Sequence, residues 1–314
     1  MPKKAFLFVL AVILLCVPAV ACAASEPPAA SITDFERQIV EQGFRLLPED
    51  HPFVVAYENT YGVEINSFSI EIDGTSISGV PYEYGGKYMK KGFSPSWWAP
   101  TITARYPVTG LDCSGYVAWV YAQVGYQIPI SSSSQFFAGK SGVVRSIEGL
   151  PDHLVIPSLD DAMIGDVAYN TTDYTYTSGK SSHIQLYLGT ANKLGIAAEL
   201  KKLIPKFPCD AHLVLDCGWS DGAYYFKSMR SLRTPGARRD MGGVGVQFFT
   251  SIKAGSKYIY RAPTKTFKWK NKSTGNTFYI DSYLNKEKRY LQHNPRKKIE
   301  YPMNLSRPIV RPDR

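Results

Sequence analysis

One cysteine stands where a polar turn runs into an apolar segment. Asp112-Cys113-Ser114-Gly115 leads directly into Tyr116-Val117-Ala118-Trp119-Val120-Tyr121. The pattern predicts a helix from Cys113 to about Val124, stopped by Gly125. A thiol in the first turn faces the positive end of the helix dipole. That favours the thiolate, the form that attacks carbonyl carbon. Far downstream, His183 opens a strand-like run, Ile184-Gln185-Leu186-Tyr187-Leu188-Gly189. A thiol on a helix and an imidazole on a later strand are the parts of a nucleophile–base pair.

The elements around these residues fall into an order. Asp34 to Leu47 has helical spacing of apolar residues, with Ser31 or Thr33 as its cap. Phe53 to Glu58 reads as a second short helix or a strand, and Val63 to Ile72 as a strand ended by Asp73-Gly74. A polar, aromatic loop, Lys87 to Gly110, then holds Trp97 and Trp98. Ser131 to Phe136 suggests a capped helix after the Cys113 helix, and Gly165-Asp166-Val167 introduces a strand. Thr171 to Ser182 reads as a hairpin loop. Strands are expected at Ile184–Leu188, Leu213–Cys217, Val244–Phe249 and Tyr258–Arg261, with a further candidate at Ala223–Phe226. Helices first and strands afterwards indicate an α+β layer fold, with N-terminal helices packed on an antiparallel sheet.

The ends carry different signals. Residues 1–24 pair Lys3 and Lys4 with an apolar core from Ala5 to Val17 and small residues up to Ala24, as in an export signal. The apolar run is short for a membrane span. Lipidation at Cys22 is the alternative to plain secretion to the periplasm or the medium. Past the leader, Cys113, Cys209 and Cys217 remain. An odd number of thiols in an oxidising compartment leaves at least one without a partner in the chain. Cys209 and Cys217 can pair across a turn but not along one strand. Residues 251–314 hold 16 Lys and Arg against 4 Asp and Glu, while the whole chain is only +9. An anionic wall or membrane surface is the expected partner of this basic end; nucleic acid is not expected of an exported chain. A merely solvated basic face remains the alternative.

Three motifs in order resemble one family. Val80-Pro81-Tyr82-Glu83-Tyr84-Gly85-Gly86, Leu111-Asp112-Cys113-Ser114-Gly115-Tyr116-Val117 and Ser182-His183-Ile184-Gln185-Leu186-Tyr187-Leu188-Gly189 resemble the segments of NlpC-type bacterial cell-wall cysteine peptidases. Gly125 to Pro129, Ser133 to Gln135 and Gly165-Asp166-Val167 resemble smaller family features. The resemblance covers roughly residues 76–230 and implies a reduced papain-like fold. It implies hydrolysis of peptide bonds in peptidoglycan stem peptides, usually where the D-glutamate side chain joins a diamino acid. Cys113 would be the nucleophile, His183 the base, and Tyr82 a neighbour that helps hold the oxyanion. Asp112 and Ser114 match positions that contact substrate, although Asp112 also suits a helix cap. Trp98 is a candidate for the cleft wall, or a core aromatic.

The third residue of the triad departs from the family pattern, because Ala191 to Cys209 is inserted between the two strands. Asp216 and His212 are the candidates. If Ile184–Leu188 and Leu213–Cys217 pair as an antiparallel hairpin, Asp216 lies nearer His183, and it is the expected orienting residue. The chain then divides into a leader (1–24), an N-terminal extension (25–75), the peptidase domain (76–262) and a basic C-terminal extension (263–314). No metal or other cofactor is expected, since the five histidines form no close ligand pairs and no Cys-x-x-Cys occurs. Two other readings stand beside the peptidase. One is an amidase or acyltransferase on the same thiol fold, and the other is a wall-binding protein with a degenerate site.

Overall fold

The computed structural model describes residues 32–72, 75–80, 82, 110–126, 128, 137–138, 143–145, 153–156, 158–170, 183–218, 243–249, 251–252, 259–260, 262–263, 265–282 and 303–308. The expected leader, the Trp97–Trp98 loop, the Ser131–Phe136 helix, the Thr171–Ser182 loop and the Ala223–Phe226 strand lie outside them.

Thr33 begins the first helix, α1 (Asp34–Phe44), through a capping box. Its hydroxyl accepts from Glu36 N–H at 3.2 Å, and Glu36 Oε2 accepts from Thr33 N–H at 2.9 Å. Such a cap is worth about 1 kcal/mol. The second helix, α2 (Pro52–Tyr61), has His51 as its cap and ends at Gly62. The expected strand from Val63 is shorter than its alternation suggests. Only β1 (Ser69–Ile72) forms, paired antiparallel with β2 (Thr75–Ser78). The residues before it bond elsewhere. Ile65 N–H donates to Glu58 Oε1 at 2.8 Å and Phe68 N–H to Arg45 O at 2.9 Å, so this stretch closes over the turn after α1 instead of joining a ladder.

Helix α3 (Cys113–Gln123) begins where the sequence placed it, and Gly125 at φ 90° follows its end. Three short strands, β3 (Phe137–Ala138), β4 (Val143–Arg145) and β5 (His153–Val155), come next. Then come β6 (Val167–Asn170), β7 (Ile184–Thr190), a fourth helix α4 (Ala197–Leu203), β8 (His212–Gly218) and β9 (Gly243–Phe248). The pairs β10 (Ser251–Ile252) with β11 (Ile259–Tyr260), and β12 (Phe267–Lys270) with β13 (Thr277–Ile280), are separate hairpin ladders. The basic C-terminal extension supplies β14 (Met303–Pro308). The main sheet has eight strands in the order β3-β4-β5-β14-β6-β7-β8-β9, every pairing antiparallel. Few helices on one antiparallel sheet make this an α+β fold of the reduced papain-like kind.

Alternation along the central strands sends side chains to two layers. Leu186, Leu188, Leu213, Leu215 and Val246 join α1, α2 and α3 in the main core, around the fully buried Trp119, Tyr57 and Phe44. Val214, Tyr187, Ala168, Leu305 and Phe249 form a smaller cluster. Glu36 ties α1 to the sheet. Its Oε1 accepts from Ile164 N–H at 3.1 Å and pairs with Lys193 Nζ at 2.9 Å. The tail strand is clamped as well, since the Arg307 guanidinium donates to both oxygens of Asp166, at 2.8 and 2.9 Å.

His51 joins the helical layer to the β12–β13 hairpin, with its ring 5.0 Å from that of Phe278. Nδ1 accepts from Phe53 N–H at 3.3 Å, and burial pushes the imidazole down to about 3. The unfolded chain therefore binds a proton near pH 6.5 that the fold refuses. Stability from this residue is complete above that pH and falls toward pH 3, by at most about 1.4 kcal/mol per pH unit. Urea unfolding from pH 7 to pH 4 should show a steeper loss in the parent protein than in His51→Asn, which keeps a capping acceptor. Parallel curves would remove His51 as the cause.

Candidate active site

The site grows from the start of α3. Asp112 is its cap, in extended conformation, and one carboxylate oxygen collects three donors. Oδ1 accepts from Ser114 N–H at 3.0 Å, Gly115 N–H at 2.8 Å and the Ser114 hydroxyl at 3.0 Å. Asp112 and Ser114 are both buried, and together they fix the first turn that carries Cys113. The chain reaches this turn through Leu111, whose backbone forms a parallel bridge with Tyr82. Tyr82 is half-buried against the main core, beside the start of the helix. Gly79 lets the chain arrive there. It sits at φ 90°, and a Cβ would meet Pro48 at 2.9 Å. Val80 then holds the segment at both ends, donating to Leu46 O and accepting from Val244 N–H, each at 2.9 Å.

The other half comes from β7 and β8. They pair antiparallel, with Leu186 opposite Leu215 and a bulge between Tyr187 and Gly189. This is the antiparallel hairpin expected from the sequence. His183 immediately precedes β7, and Asp216 lies near the end of β8. Their side chains meet, with His183 Nε2 2.8 Å from Asp216 Oδ1. The Asp216 side chain has no exposure, while the His183 side chain keeps 18%, so the imidazole can face a substrate and the carboxylate cannot. The Cys113 side chain also acts on the His183 imidazole and raises it.

Electrostatics follow from this placement. Burial alone would push the His183 imidazole down. The Asp216 carboxylate, with the Cys113 side chain adding to it, overrides that and holds it well above the ordinary histidine range. Cys217, the next residue on β8, is a different kind of thiol. It is fully buried, donates to Leu111 O at 3.2 Å, and is pushed up by burial and by neighbouring Asp216. Cys113, Cys209 and Cys217 are all free thiols. His212 begins β8 at the opposite end from Asp216, its ring stacked on that of Tyr187 at 5.8 Å. The structure thus brings Cys113, His183 and Asp216 together, keeps Asp112, Ser114 and Tyr82 around the first turn of α3, and leaves His212 elsewhere. Trp98 lies outside the described residues.

Three neighbours were not singled out from the sequence. Gln185 and Gln247 donate Nε2–H to Asp216 Oδ2, at 2.7 and 2.9 Å. Gln185 was visible as an amide two residues after His183 on one strand face; Gln247 offered no local signal. Tyr116, one turn beyond Cys113, places its hydroxyl within the β7–β8 ladder. It accepts from Leu186 N–H at 2.8 Å and donates to Leu215 O. Those two residues face each other in the ladder, so α3 is bonded directly to both β7 and β8. Burial puts the Tyr116 phenol well above its ordinary range, which keeps it a neutral donor.

Comparison with known proteins places a likeness over part of this chain. The model of the NlpC/P60 family matches residues 79–202. Peptidoglycan endopeptidase RipB of Mycobacterium tuberculosis (strain CDC 1551 / Oshkosh) is 30% identical over 128 residues, which are 41% of this chain and 42% of that protein. Peptidoglycan endopeptidase RipA of Mycobacterium tuberculosis (strain ATCC 25618 / H37Rv) is 31% identical over 134 residues, 43% of this chain and 22% of that one. The chain thus spans less than half the length of these curated relatives. No solved structure matches it. Asp216, Gln247 and the tail strand lie beyond the matched segment, whereas the Gly79–Tyr82 turn, Cys113 and His183 lie within it. Through residues 79–202 this chain is similar to the NlpC/P60 family, and over much the same stretch to two peptidoglycan endopeptidases.

Proposed function

We propose that the protein is an exported cysteine endopeptidase that cleaves peptide bonds in peptidoglycan stem peptides, with Cys113 as nucleophile, His183 as base and Asp216 as the residue that orients it. One observation carries the reading: the His183 imidazole meets a wholly buried carboxylate at 2.8 Å, and the Cys113 side chain raises it further. With Nε2 turned to Asp216, Nδ1 is the ring nitrogen that takes the thiol proton. The thiolate adds to the scissile carbonyl, and Tyr82 with the Cys113 backbone N–H supports the oxyanion. His183 returns the proton to the leaving amine, so the C–N bond breaks and an acyl-thioester remains. Water, deprotonated by the same imidazole, releases the acid and restores the thiol. The Asp216 charge stabilises the imidazolium formed at both stages.

The bond proposed is the one between the D-glutamate side chain and a diamino acid. The Asp112 carboxylate and Ser114 hydroxyl at the first turn of α3 are the proposed substrate contacts, in addition to their bonds to each other. Export rests on the basic-then-apolar pattern of residues 1–24, with lipidation at Cys22 as its variant. Surface attachment is proposed through the β12–β13 hairpin. Lys265, Lys268, Lys270 and Lys272 are exposed there, and the hairpin from 265 to 280 contains no acidic residue.

Two experiments test these readings. Purified protein incubated with defined stem peptides, and read by product mass, should cleave them. Cys113→Ala should abolish cleavage, Asp216→Ala should lower kcat by about 10³ or more, and His212→Ala should change it by only a few-fold. A ligated product in place of the free acid would favour acyl transfer, and turnover by Cys113→Ala would refute the nucleophile. For the surface, changing the four hairpin lysines to Gln should weaken binding to isolated cell wall at low salt, with the difference vanishing at high salt. Equal binding at low salt would refute the role of the hairpin. Deleting the whole basic tail is a poorer test, because it removes β14 and the Arg307–Asp166 pair from the main sheet.

A further inference from the structure

The reaction as written leaves two side chains of the site unused. Gln185 on β7 and Gln247 on β9 reach Asp216 from the strands on either side of β8, and both amides bond the same oxygen, Oδ2. The other oxygen, Oδ1, is the one at His183. We propose that Gln185 and Gln247 are positioning residues that hold Asp216 ionised and turned so that Oδ1 faces His183. This rests on the reading of Cys113 as nucleophile and His183 as its base.

A carboxylate taken wholly out of water is easily protonated unless donors stabilise its charge. Two amide N–H groups do that without adding a positive charge, so Asp216 keeps its full attraction for the imidazolium. The groups that face Asp216 are His183 ahead of β7, Tyr116 on α3 and Cys217 beside it on β8, with Cys113 coupled through His183. Of these, only His183 can carry a positive charge, and the two amides are neutral donors to the carboxylate. Gln247 is held there at a cost. Its Oε1 is buried and has no hydrogen-bond partner among the described residues. An unpaired buried acceptor is unfavourable. Turning the amide over would be worse, because oxygen would then face carboxylate oxygen. The orientation of this side chain therefore follows from Asp216.

Alkylation of Cys113 by iodoacetamide, followed against pH by peptide mass, reads the thiolate without any substrate. Gln185→Met and Gln247→Met keep side-chain length and remove the donor. Each should let Asp216 take a proton at higher pH, strip His183 of its counter-charge, and move the acid limb of the alkylation profile up by about one pH unit. Gln247→Asn, and Gln185→Asn if a Met variant does not fold, retain an amide and should move it less. Loss of thermal stability with an unmoved acid limb means a packing role only and overturns the proposal. An ordinary surface-thiol profile in the parent protein overturns the nucleophile reading, and this inference with it.

Discussion

The proposed site depends on one buried carboxyl group. Asp216 has no contact with water, and an isolated carboxylate in that position would be costly. It is tolerated because each oxygen has its own task. Oδ1 meets the imidazole at 2.8 Å, and Oδ2 takes two amide donors. The consequence reaches His183, whose own burial opposes a positive charge but whose partner makes that charge favourable. Without Asp216, burial would push the imidazole down.

The scaffold delivers these groups through a few obligatory contacts. The Asp112 cap fixes where α3 starts, and thus where the Cys113 side chain emerges. Tyr116 then bonds both facing strands at the Leu186–Leu215 pair, one residue from Asp216 and three from His183. Helix and sheet cannot slide past each other without losing buried hydrogen bonds. Glu36 and Arg307 fasten the two ends of the described chain beside β6 and β7, one through Ile164 and Lys193, the other through Asp166. The segments flanking the family match are thus structurally joined to the layer that carries the site.

Much of this was legible in the residues, for identifiable reasons. The start of α3 follows from a capping carboxylate before an apolar run, and α1 from Thr33 with Glu36 three residues on. The nearness of Asp216 to His183 required only that two strands pair antiparallel, because antiparallel pairing sets one end of β8 against the start of β7. What was not legible depended on long-range partners. The Val63–Phe68 stretch alternates like a strand, yet Glu58 and Arg45 take its backbone donors. Gln247 contacts Asp216 only because β9 is the next strand, and no local pattern announces that. The tail strand β14 enters between β5 and β6, an insertion that pattern reading along the chain does not reveal.

The central claim is that Asp216 sets the charge of His183, and titration of the His183 ring by NMR tests it most directly. In the parent protein the ring should remain protonated well above the ordinary histidine range. In Asp216→Asn the carboxylate is gone while the burial remains, so the ring should lose its proton below that range. A His183 that titrates alike in both proteins would contradict the account.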